Sequence, residues 1–280
     1  MSVSVSNQAR GAIMVASPWV EWLARLGFAA KGVVYAIVGV LAVQYAFGQG
    51  GKTSGTTGAF ETIAGEPFGQ ILLAIIALGL VGYSIWQFAR AGMDADDAGS
   101  DMKGIAKRIG YACNGILHMG LSFIAASMAI MGASSSGGGE SSISDWTATV
   151  MSEPFGRWLV GIGGVIVIGV GLYRIYKGYS TKFTQSLDLS EMNSTERTWT
   201  VRFGRMGLAA QGIVFMMIGS FFVQAAMQFD PNEARGVGGA LQTLAQQPYG
   251  PWLLALVALG LVAHGIYNFI LARYRRIQAV

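Results

Sequence analysis

RLGFAAKG, residues Arg25 to Gly32, opens a long apolar run, and the same spelling returns as RIGYACNG from Arg108 and RMGLAAQG from Arg205. The shared pattern is RxGxAxxG, read without a gap. A second signature answers each copy downstream: GEPFGQIL from Gly65, SEPFGRWL from Ser152 and QQPYGPWL from Gln246. Each of these again precedes a long apolar run. Self-similarity on this scale marks tandem structural units, and here each unit carries two apolar segments.

Composition says where such segments belong. Charged residues make up 12% of the 280 residues and hydrophobic residues 52%, against roughly 25% charged in an average soluble domain. The apolar residues gather into six runs of about 20 residues, each long enough to cross about 30 Å of hydrocarbon as a helix. The expected spans are Leu26 to Phe47, Gly69 to Ala89, Ile109 to Met131, Trp158 to Tyr176, Met206 to Gln228 and Pro251 to Ala272. The fold class expected is therefore all-α: a polytopic membrane protein with six transmembrane helices in three tandem helical hairpins.

The Pro, aromatic, Gly signature reads as the point of re-entry into the membrane. Proline fits the first turn of a helix, where its missing N–H has no intrahelical partner. The aromatic suits interfacial depth, and Gly permits close packing. Before each proline lies a short, weakly amphipathic piece, AFETIAG, DWTATVM or GALQTLAQ, with apolar pairs such as Phe60 and Ile63 or Leu241 and Leu244. This spacing predicts a short helix lying on the membrane surface. Gly- and Ser-rich strings, GQGGKTSGTTG and ASSSGGGESS, join such pieces to the preceding span as linkers.

The layout expected is an N-terminal arm (1–24), repeat 1 (25–92), a linker (93–107), repeat 2 (108–179), a linker (180–204), repeat 3 (205–276) and a tail (277–280). Each repeat crosses twice, so all three share one orientation. A pseudo-threefold bundle about an axis along the membrane normal satisfies this, and so does a side-by-side row of hairpins.

Positive charge orients the chain. One side receives the arm with Arg25, the loops near 90–108 and 174–205, Arg174 counted among them, and the C-terminal end from Arg273, which together hold 15 of the 19 Lys and Arg, while the other side holds Lys52, Arg157 and Arg235. Both termini are expected to be cytoplasmic, and no removed signal peptide is expected, since no basic leader precedes a short apolar core. The net charge of +4 then reflects topology. With the acidic stretch DADDAGSD beside the basic residues, it points to no nucleic-acid partner. Cys113, alone in a span, has no partner for an internal disulfide. Asn193-Ser-Thr matches a glycosylation acceptor but falls on the cytoplasmic side.

The two repeated signatures resemble those of a bacterial membrane family known as domain of unknown function 1206, whose members carry tandem two-helix units. The resemblance covers roughly Trp22 to Arg276. It implies this fold and a bacterial inner-membrane location, and it brings no activity or catalytic residue with it.

Aligning the repeats exposes equivalent polar positions. Lys31, Asn114 and Gln211 lie six residues past Arg25, Arg108 and Arg205, about 9 Å into the span at 1.5 Å per residue. Intramembrane ionisable groups tend to face a cavity or a partner. The first set is the candidate axial polar ring and the three arginines its candidate cytoplasmic mouth, together an anion-accepting vestibule. The plainer reading has Lys31 snorkelling to water while the two amides join helices. One turn deeper, on the same face, Tyr35, His118 and Phe215 form a second ring, with His264 at similar depth in the last span. Interhelical hydrogen bonding is the simpler role for these histidines, and Gln44, Ser127 and Gln224 read likewise as links between helices.

No GxSxG, GxxxxGK, HExxH or CxxCH accompanies these residues, so neither catalysis nor a cofactor is expected. Two functions remain. One is binding or passage of a small solute or ion at an axial site on the cytoplasmic half. The other is a non-catalytic accessory or scaffold role with a membrane-protein partner. The lipid bilayer is the surrounding partner in both.

Overall fold

The computed structural model describes residues 18–93, 99–132 and 140–277. The first 17 residues of the arm, the acidic residues 94–98 and the Gly/Ser run 133–139 lie outside the described residues. Among the described residues the chain forms nine α-helices: α1 (Pro18–Ala46), α2 (Thr56–Ala64), α3 (Gly69–Met93), α4 (Met102–Met131), α5 (Glu140–Ser152), α6 (Gly156–Tyr179), α7 (Ser194–Gln228), α8 (Val237–Ala245) and α9 (Gly250–Tyr274). Six of them, α1, α3, α4, α6, α7 and α9, are long and apolar enough to cross a membrane. The short helices α2, α5 and α8 coincide with the three pieces expected on the surface.

Three spans, α1, α4 and α7, start earlier than their apolar runs, so residues 18–24, read from sequence as arm, and 102–107, read as linker, are helical. Asp101 accepts a hydrogen bond from the Gly104 N–H and starts α4. Asn193 and Glu196 form a reciprocal capping box that starts α7, at 2.8 and 3.0 Å. The Asn-Ser-Thr tripeptide is thus a helix start, and residues 194–204, read from sequence as linker, are helical.

The repeated signature differs from expectation at its proline. Pro67, Pro154 and Pro248 precede the spans, which begin at Gly69, Gly156 and Gly250. The Gly N–H donates to the carbonyl three residues back (Glu66, Glu153 and Gln247) at 2.7 to 2.9 Å. Proline thus holds the second position of a β-turn. The next residue is left-handed, with φ of 62° at Phe68, 62° at Phe155 and 59° at Tyr249. A type II turn requires positive φ at that place and ordinarily uses Gly. Here an aromatic accepts about 1–2 kcal/mol of backbone cost and projects outward, 80 to 82% exposed in all three copies, where a ring anchors to a bilayer interface. The following Gly is obligatory, because a Cβ would overlap the carbonyl oxygen of Ile63, Val150 or Ala245 at the end of the short helix.

The spans pack in the order α4, α3, α1, α9, α7, α6. Every second helix lies against the first helix of the next repeat: α3 on α4, α6 on α7 and α9 on α1. Equivalent small residues make each approach. A Cβ at Gly39 would stand 2.7 Å from the Ala258 carbonyl oxygen, and one at Gly219 would stand 2.6 Å from that of Gly164. At the third such place the Ser122 hydroxyl donates to Ala77 O at 3.0 Å. Because repeat 3 packs back onto repeat 1, the hairpins curl into a pseudo-threefold bundle and do not form a row.

Within repeats the pattern breaks. Helices α1 and α3 pack, as do α7 and α9, whereas α4 and α6 do not pack along their length. The motif glycine records this: Gly27 meets Tyr83 and Gly79, Gly207 meets the His264 backbone, and Gly110 has nothing within 4 Å. The bundle is therefore a ring opened inside its second repeat.

Apolar cores close the two ends. Near the turns, Val38, Ala42, Leu73, Leu254 and the inserted Phe60 and Leu241 of α2 and α8 are fully packed. At the arginine end, Phe183 and Leu187 from the segment after α6 cover Phe28, Trp86 and Tyr267. That segment is latched to the chain after α9 by a Leu187–Arg275 bridge and an Asp188–Arg276 ion pair of 3.3 Å. The Ser190 hydroxyl and backbone N–H, then Arg276, hold the Asp188 carboxyl below its usual range.

Two outcomes are expected. Gly69→Ala, Gly156→Ala and Gly250→Ala should each lower stability by about 1–3 kcal/mol, seen as a lower unfolding temperature of the purified protein. Gly92→Ala, at a glycine facing open space, should not. A carboxyl whose folded value is depressed adds stability above its unfolded value and loses it as pH falls through the lower folded one. Amide-exchange protection of residues 182–191 should therefore drop as pH falls below about 3.8, and Asp188→Asn should abolish that step.

Candidate functional site

Several polar side chains lie within the spans on the arginine half. Lys31, on α1, places its ammonium 4.2 Å over the Tyr83 ring of α3. Gln211, on α7, is buried and bridges two helices, donating from Nε2 to the Tyr35 hydroxyl at 2.7 Å and accepting at Oε1 from Arg174 Nη1. Arg174 also lies over the Phe215 ring, 4.8 Å from its centroid. A chain of side chains, Tyr35, Gln211 and Arg174, thus ties α1, α7 and α6 together.

The second ring resolves into pairs. Tyr35 meets His264 edge-on with ring centroids 4.7 Å apart, and His118 meets Tyr83 at the same 4.7 Å. These pairs are related by the repeat: in one the first helix gives Tyr and the preceding repeat's second helix gives His, and in the other the roles are exchanged. His118 Nδ1 lies 2.9 Å from Asn114 O; a carbonyl only accepts, so Nδ1 carries the proton. In the third copy Val170 stands where Tyr83 and His264 stand, and Phe215 faces Arg174 instead.

The three members of the first ring have different neighbours, so the threefold equivalence of position does not make one uniform coordination shell. Arg174 Nε, Asn114 Oδ1 and His264 Nδ1 are buried with no hydrogen-bond partner, and each such atom costs about 1–3 kcal/mol when left unsatisfied. Contacts gather these residues in two sets: Lys31 and His118 both meet the Tyr83 ring, and His264 meets Tyr35, which is joined through Gln211 to Arg174. Among the described residues no carboxylate pairs with either cation.

The arginines read as a mouth are occupied otherwise. Arg25 donates to the Ala272 and Arg273 carbonyls at the end of α9 and to Glu21, and Arg108 donates to Ala91 O at 2.7 Å and Gly92 O at 3.0 Å at the end of α3. Both cap the C-terminus of the preceding second helix, where a cation is favoured. Arg205 flanks Ile175, Gly178 and Tyr179 at the matching place on α6. Gln44 and Gln224 are exposed, so neither links helices in the interior.

Arg174 is the residue that sequence reasoning missed. Counted with the loop cations, it lies five residues inside the end of α6. Its equivalence to Gln87 and Asn268, both buried, is the signal that marks it as interior.

The two-helix unit with its RxGxAxxG start is thus present three times, once opened. The family described as Domain of Unknown Function (DUF1206) matches three times, over residues 26–94, 109–181 and 206–275. The chain belongs to this family. A relative, the uncharacterized protein YxxB of Bacillus subtilis (strain 168), is 35% identical over 258 residues, covering 92% of each chain. No solved structure matches this DUF1206 protein.

The opened second repeat makes a direct prediction. Gly27→Leu and Gly207→Leu should each destabilise the protein by about 1–3 kcal/mol, whereas Gly110→Leu should leave the unfolding temperature unchanged. Thermal unfolding of the three variants side by side checks it.

Proposed function

We propose that this DUF1206 protein binds a small anion in the cleft on its arginine half, without catalysing a reaction. One observation carries the reading: Lys31 and Arg174 lie inside membrane spans, and no carboxylate among the described residues neutralises them. A cation within the hydrocarbon is costly and is retained where it has a partner or a ligand. The Tyr35 hydroxyl, which accepts from Gln211 and keeps its own O–H to donate, and the unpartnered Arg174 Nε and His264 Nδ1 supply the hydrogen-bonding groups that an oriented anion needs.

Binding fits better than open passage. The packed apolar core near the turns, with Phe60 and Leu241 fully buried, interrupts any polar path along the axis. The distribution of Lys and Arg supports a cytoplasmic arginine end, with both termini there, and the family supports a bacterial inner membrane.

In lipid nanodiscs at fixed ionic strength, acetate or inorganic phosphate should raise the unfolding temperature, while exchange of sodium for potassium should not. Lys31→Ala should at least halve the anion effect. Equal stabilisation of the wild type and Lys31→Ala would remove Lys31 from the site, and no anion effect in the wild type would refute the reading.

A further inference from the structure

We infer that the anion is the headgroup of a membrane amphiphile, a carboxylate or phosphate monoester on a hydrocarbon chain, which reaches the cleft sideways between α4 and α6. The inference rests on the anion reading above and adds the route and the ligand class.

The route follows from comparing equivalent residues. In repeat 1 the α1–α3 interface is made by Leu26, Ala30, Gly79 and Tyr83. Their counterparts in repeat 2 are Ile109, Cys113, Ile166 and Val170. Ala30 and Tyr83 are 5% exposed, whereas Ile109 is 59% and Ile166 60% exposed, and Cys113 is exposed. Gly110 and Gly169, whose counterparts Gly27 and Gly82 touch the neighbouring helix, meet nothing within 4 Å. The gap is therefore walled by apolar side chains and interrupted by glycines. Such walls match a hydrocarbon chain and offer a free hydrated anion no hydrogen bonds.

The polar groups sit at one end of this gap. Arg174 is one helical turn from Val170 and two from Ile166 on α6, and on α4 Asn114 adjoins Cys113 and precedes His118 by a turn. Arg174 lies about 7 Å inside the end of α6 at 1.5 Å per residue. That is a depth suited to a headgroup, with the apolar wall continuing toward the bilayer midplane. An amphiphile whose acid meets Arg174 and Lys31 would lay its chain along Val170 and Ile166. In this repeat alone the smaller Val170, one turn from Arg174, stands where the other repeats place the rings of Tyr83 and His264.

The test uses the full chain in nanodiscs of zwitterionic lipid, with cis-parinarate as a fluorescent fatty acid, palmitate as competitor and dodecanol as a chain lacking the charge. Arg174→Gln places at that position the residue the first repeat carries as Gln87, and Gly110→Leu/Gly169→Leu fills the gap. Saturable parinarate binding displaced by palmitate and not by dodecanol is expected. Both variants should weaken it at least tenfold, with stabilisation by acetate kept in the gap variant and lost in Arg174→Gln. Stabilisation by acetate or phosphate without parinarate binding, or parinarate binding indifferent to the gap variant, would overturn the lateral route and leave the anion reading standing. Absence of any anion effect would overturn both. A membrane polypeptide that co-purifies and is released by the gap variant would overturn the lipid-ligand inference in favour of a partner helix.

Discussion

Close backbone approach between each second helix and the first helix of the next repeat is the constraint on which this molecule rests. In lipid there is no hydrophobic drive between apolar helices, so association depends on van der Waals contact at small residues and on interhelical hydrogen bonds. The chain supplies both at equivalent places, with Gly39 on Ala258, Ser122 on Ala77 and Gly219 on Gly164. Gly171 and Gly212 repeat the reciprocal contact nearer the arginine end. Larger residues there would separate α9 from α1 or α6 from α7, and with them Tyr35 from His264 and Gln211 from Arg174.

Contacts inside the repeats are a separate matter. Repeats 1 and 3 use their motif glycine to draw the two helices of a hairpin together, and repeat 2 keeps the glycine without using it. A threefold pattern in the sequence thus yields a bundle that is threefold between repeats and uneven within them. The unevenness coincides with the chemistry, since Arg174 and the cleft side of His118 belong to the open repeat.

The six spans and the three short helices were legible because apolar length, helical spacing and internal repetition all leave marks in sequence, whereas those marks left a curled bundle and a row of hairpins both open. The turn was partly legible. Pro and Gly were recognisable, but the left-handed aromatic between them was not, since positive φ at Phe68 runs against the ordinary preference of a bulky residue. Lys31, Asn114, Gln211 and His118 could be found by aligning repeats. The capping of helix ends by Arg25 and Arg108 could not, because the carbonyl acceptors are backbone and leave no trace in residue type. Nor could the parting of α4 from α6, where the motif glycine is written as faithfully as in the closed repeats.

The ring also fixes an order of completion. Helix α1 is made before α9, yet the face bearing Gly32, Ala36 and Gly39 finds its partner only there. Until then that glycine-lined face must remain in the bilayer against lipid or a borrowed helix. The first repeat therefore cannot mature as an independent folding unit, and a chain halted before α9 would leave α1 without its partner.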